Sequence, residues 1–210
     1  LRRSTLLFHG FTALLVAALT TPVLAAANTD PDWPCIQRKV PQLSIAQVWT
    51  GPALPESVTE WEKDPKITEL VTEMAARRNP VEEAEKMLAG YVASLPEDQV
   101  NEKLMQVFQG LFDRLNSERG QVISGISRYA AKQRDLADDL RRETQELDAL
   151  RAKPDADQAE LAKLNDRVTW ETRIFEERVQ SLTYICEVPT IIEQRLYKLA
   201  NIISQSIIKE

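Results

Sequence analysis

Histidine is almost missing from this chain: the single one, His9, lies among the first ten residues. Elsewhere its absence excludes Ser-His-Asp and Cys-His catalysis, the common zinc sites and the Glu-x-x-His di-iron bundle. Cysteine is nearly as scarce. Cys35 and Cys186 are the only two, and their separation excludes a CxxC redox or zinc motif. Glycine is held to 6 of 210 residues, and Gly110, Gly120 and Gly125 do not follow a strand, so there is no phosphate-cradling loop. Met74, Met87 and Met105 are too scattered to bind copper and suit a core. No cofactor or metal is expected from such a set.

Long apolar runs are also few. The one at residues 6–19 follows Arg2 and Arg3 and precedes the small-residue stretch Val23-Leu24-Ala25-Ala26-Ala27. Basic, apolar and small-residue regions in that order make a secretory signal over residues 1–27, cut after Ala25 or Ala27. The run is short for a retained anchor, and His9 and Gly10 interrupt it. No second run exists, so no stable membrane span is expected after cleavage. Removing the segment leaves 24 basic against 32 acidic residues. A surface with that excess of negative charge repels phosphate backbones, and no nucleic-acid partner is expected.

What is present points to export and helix. An isolated cysteine pair in an oxidising compartment is expected to bridge, although two separate buried thiols would also satisfy the count. The expected location is the periplasm. Residues 28–64 carry Pro31, Pro34, Pro41, Pro52 and Pro55 together with Trp33, Trp49 and Trp61. That proline density forbids a long helix. The segment reads as an extended strap that buries its indoles on the body, with helical turns near residues 44–49 and 56–63.

From Pro65 the apolar spacing is helical. Asp64-Pro65, Asn79-Pro80 and Pro96-Glu97-Asp98 each begin a helix, giving two short helices over residues 65–95. Residues 96–210 then form a long coiled-coil-like hairpin turning at residues 153–155 around Pro154, with Pro189 expected to kink or briefly break its second arm. The fold class is all-α. The stripes also leave self-association into a homo-oligomer open.

Counting back across the turn places Cys186 opposite Gln121 or Val122, between Gly120 and Gly125. Glycine in a helix interior costs about 1 kcal/mol against alanine, so this pair suggests a dock for Asp32-Trp33-Pro34-Cys35, with Trp33 packed there. Alternatively the glycines mark a local bend. Arg114, Glu118, Arg119, Arg128 and Tyr129, beside Asn116, form a second cluster, either a polar network fixing the dock or a partner surface. Farther out, Glu143, Glu146, Glu171, Glu176 and Glu177 alternate with arginines in the manner of a solvated helix face.

With Asp32-Trp-Pro-Cys-Ile-Gln-Arg-Lys-Val-Pro41 and Leu182-Thr-Tyr-Ile-Cys-Glu-Val-Pro189 in view, most of the chain resembles exported helical proteins of Gram-negative bacteria. The resemblance implies a compartment and no activity. The leading expectation is a non-catalytic interaction or scaffold protein with an envelope protein as partner. A holdase-type chaperone gripping through Phe108, Phe112 and Phe175 is the alternative. An enzyme using Glu171, Arg119 and Tyr129 in a strap–hairpin cleft ranks third.

Overall fold

The computed structural model describes residues 30–208; the signal segment expected at residues 1–27 lies outside the described residues. Five α-helices follow one another: α1 (Ile45–Val48), α2 (Pro65–Ala75), α3 (Val81–Ala93), α4 (Glu97–Arg151) and α5 (Gln158–Ser206), with a 3₁₀ helix, Glu56–Lys63, between α1 and α2. No strand occurs among the described residues, and none of their helices is long and apolar enough to cross a membrane.

Local chemistry sets the helix starts. The Asp64 side chain accepts from the amides of Lys66 and Ile67, with Pro65 in the first turn. Asp157 does the same for Ala159 and Glu160, so α5 restarts at Gln158 after the turn around Pro154. Asp64 also pairs with Lys103 Nζ at 2.8 Å. That hydrogen bond, ahead of the opposing effect of burial, holds its carboxyl below the usual aspartate range.

α5 does not break at Pro189. It runs through that residue without interruption, and the proline is buried in it. The reason is its place in the seam: Leu161, Val168, Phe175, Leu182, Pro189, Leu196 and Ile203 follow at sevens. Packing on both sides of the proline, from Ile185 to Ile192, offsets one lost backbone bond.

The main core lies at the open end of the hairpin. There α2 packs on α4 and α3 on α5, around Ile67, Met74, Leu88, Phe108, Leu199 and Ile203. Arg195, buried on α5, donates to the carbonyls of Met74 (2.6 Å from Nη2) and Asn79 (2.8 Å), tying down the end of α2. Two strap indoles reach this core. Trp49 stacks on Phe108 with centroids 4.1 Å apart, and Trp61 is buried with its N–H on Asp113 Oδ2 at 3.0 Å.

Within α4 the glycine that grants close approach is Gly110. A Cβ there would lie 2.8 Å from Val71 Cγ2 and 2.9 Å from the Trp61 ring. Gly110→Ala is therefore expected to destabilise by about 1–2 kcal/mol, because overpacking outweighs the helix propensity gained. Gly90→Ala, with nothing within 4 Å of its Cβ, is expected to stabilise by about 1 kcal/mol. Paired urea titrations check both signs.

Candidate functional site

Away from the main core, a second small apolar cluster holds Trp33, Cys35, Ile123 and Ile126, with Val122, Ile185 and Cys186 packed against it. Cys35 and Cys186 are joined in a disulfide with Cα atoms 5.5 Å apart. Trp33 is 7% exposed, and its indole N–H donates to the Gln37 carbonyl at 2.6 Å, so the strap closes on itself where it docks. Lys39 lies over that ring and pairs with Asp30 at 2.7 Å, which together with the Asp32 amide lowers the Asp30 carboxyl below its usual range. Arg134 clamps the outer side through the Pro31 carbonyl and the Asp32 carboxylate.

The expected glycine dock needs correcting. Trp33 and Cys35 land on Ile123 and Ile126, not on the glycines. A Cβ on Gly120 would meet only the Pro41 carbonyl at 3.5 Å, an ordinary contact, and one on Gly125 only the Arg128 side chain of its own helix at 3.9 Å. A flat aliphatic surface accepts an indole without backbone contact, so neither glycine is needed.

The second expected cluster divides, because residues one or two apart on a helix point to different sides. Arg119 faces inward, 5% exposed; its Nη1 donates to the Val40 carbonyl and its Nη2 pairs with Glu193 at 3.3 Å, joining strap, α4 and α5. Asn116 grips the strap as a backbone would: its Oδ1 accepts from the Leu43 amide at 2.9 Å and its Nδ2 donates to the Leu43 carbonyl at 3.2 Å. These two fix the dock. Glu118 turns to Arg77 at 3.1 Å, Arg114 and Arg128 are exposed, and Tyr129 donates to the Arg178 carbonyl at 3.4 Å. Arg128 lines a groove of about 560 Å³ with Pro41, Asn116 and Gly120, open to solvent along its length.

One grouping was hidden in the charge pattern. Glu143 and Glu171 do not belong to a solvated face. Both fall at seam positions of the hairpin: Glu171 is three residues after Val168 and four before Phe175, and Glu143 is three after Leu140 and four before Leu147. Glu143 Oε1 pairs with Arg167 at 3.1 Å, while its Oε2 is buried without a hydrogen-bond donor. Burial first, then the charge of Glu143, pushes the Glu171 carboxyl above the usual glutamate range. Glu171 lies close enough to Glu143 to donate to it when protonated. Counting the three-four repeat through both arms would have found this pair.

The sign of its pH effect follows. A raised carboxyl opposes folding when ionised, so stability is gained as pH falls through the raised value toward the ordinary one. Asp30 and Asp64, both lowered, contribute above the ordinary aspartate range and lose that contribution as pH falls through their lowered values. Lowering the pH from neutral toward the ordinary glutamate range is thus expected to raise the urea midpoint. Glu171→Gln should raise it at pH 7 and flatten the rise; an unchanged slope in that variant would remove Glu171 as its source.

Arg119, Tyr129 and Glu171 do not converge. The Arg119 and Glu143 levels are 24 residues apart on α4, about 36 Å at 1.5 Å per residue. Phe108 and Phe112 are buried in the main core and Phe175 is half-buried in the seam, so the grip imagined for a holdase is filled by the protein itself. Among the described residues no group of three His, Cys, Asp or Glu is placed to hold a metal ion. No protein-family model, curated protein or solved structure matches this chain.

Proposed function

We propose that this protein is an exported adaptor of the cell envelope that works by binding another protein, without chemistry of its own. One observation carries the reading. Neither apolar cluster extends past Ile126 on α4 or below Ile185 on α5, yet the hairpin continues to Arg151 and Gln158. That is about 25 residues, or roughly 38 Å, of two-helix arm, of which only the first part, as far as Arg134, still touches the strap. An arm of that length adds helical surface far beyond what holds the body together. The clefts beside the strap are shallow, including one of about 350 Å³ against the disulfide lined by Pro34, Ile36, Val179 and Leu182. They suit a peptide or helix edge better than an enclosed substrate.

The test is crosslinking and affinity recovery of tagged protein from intact periplasm, beside a variant in which residues 136–168 are replaced by a short turn. Both clusters lie outside that deletion, so circular dichroism and the intact disulfide report whether the body still folds. A single protein recovered with the full chain and lost with the shortened one supports an adaptor arm. Equal recovery by both moves the binding surface to the body. Recovery of many unrelated chains would replace the adaptor with a chaperone.

A further inference from the structure

The outer side of α5 carries large apolar residues that the described residues leave bare: Trp170 is 62% exposed, Tyr184 75% and Ile191 47%. They share one row. Trp170, Glu177, Tyr184 and Ile191 follow at sevens, the interval that keeps residues in line along a supercoiled helix. The row spans about 31 Å. Toward the C-terminal end, the side of α5 next to it already supports an interface: Val188 and Ile202 pack against the main core, and Arg195 between them bonds the end of α2. The bare row runs beside that contact and on along the arm.

We propose that this row binds a second copy of the chain, with the two α5 helices antiparallel about a two-fold axis near Gln180. The positions are self-complementary about that point. Trp170 and Ile191 lie equally far from the midpoint between Gln180 and Ser181, as do Glu177 and Tyr184, so each faces the other across the axis. In the adjoining exposed row, Arg173 and Glu187 lie seven residues either side of Gln180. Antiparallel pairing sets each Arg173 against Glu187 of the other copy; parallel pairing would set Arg173 on Arg173 and Glu187 on Glu187. Charge therefore selects the antiparallel arrangement, and Arg173 bridges its own Glu177, at 3.1 Å, to the second copy. This inference is independent of the adaptor reading: a dimer can form whether or not an envelope partner exists.

Sedimentation velocity of the intact, disulfide-bonded protein over a wide concentration range tests it. Dimers are expected to grow with concentration. Arg173→Glu or Glu187→Arg alone should weaken them on the order of tenfold, because the two-fold repeats each change. The double variant with both reversals should recover the original constant. Both positions are exposed, so circular dichroism should not change. As a geometric check, Gln180→Cys should crosslink to its own copy on mild oxidation, and Trp170→Cys should not. A monomer at every concentration, a dimer indifferent to the reversals, a double variant no better than the singles, or Trp170→Cys crosslinking to itself would each overturn the proposal.

Discussion

Replacing Cys35 and Cys186 with serine is expected to remove about 4–5 kcal/mol of stability, the largest loss any pair of substitutions here should cause. The bond closes a loop of 151 residues, and in the chain-entropy account a longer loop restrains the unfolded chain more. For a chain of this length the melting temperature should fall by roughly 10–20 °C. The loss should have a location as well. Trp33, Ile123 and Ile126 form a cluster separate from the main core, so without the bond the strap ahead of Val40 is held by one small apolar contact and the Arg134 clamp, and the next holds are Arg119 on Val40 and Asn116 on Leu43. Hydrogen exchange should therefore accelerate first over residues 30–40 and along α4 near Ile123, while α2 and α3 keep their protection. Uniform acceleration across the whole chain would instead mean that the strap and body unfold as one.

The next largest effect is expected from Phe108→Ala. Phe108 is fully buried, stacks on Trp49 and lies 6.2 Å, ring to ring, from Phe112. Truncating such a ring costs about 3–5 kcal/mol in transfer and cavity terms. It should also free the Trp49 indole, which is otherwise held by its own turn, lying over Gly51 with its N–H on the Pro52 carbonyl at 2.7 Å. Indole emission should shift to the red in the native state, before any denaturant is added. An unshifted spectrum would show that the Trp49 turn holds itself in place and that the ring below only fills space.

How far the sequence alone led differs from element to element. Helix starts were legible at Asp64-Pro65 and Pro96 because capping and proline act locally. The disulfide was legible because two cysteines and a count along a regular hairpin place Cys186 beside Val122. Gly110 was not, since its crowding comes from Val71 and Trp61, 39 and 49 residues earlier in the chain. The continuity of α5 through Pro189 was hidden for a similar reason: a local rule for proline says nothing about seam packing on either side. In the arginine-rich stretch, Arg119 and Asn116 hydrogen-bond the strap while Glu118 turns to Arg77, because neighbouring positions occupy other sides of α4. Membership in a composition cluster said little about which face each residue takes.

The same regularity that makes α5 easy to read also makes it ambiguous. A seam repeating at sevens looks much the same after sliding by one heptad, so apolar spacing by itself does not fix how the two arms align. Such a slide would carry Cys186 about 10 Å along α4. Cys35, docked with its indole on Ile123 and Ile126, would then be out of bonding reach of its present 5.5 Å neighbour. The covalent link can therefore be sealed only in the arm pairing that brings both sulfurs together.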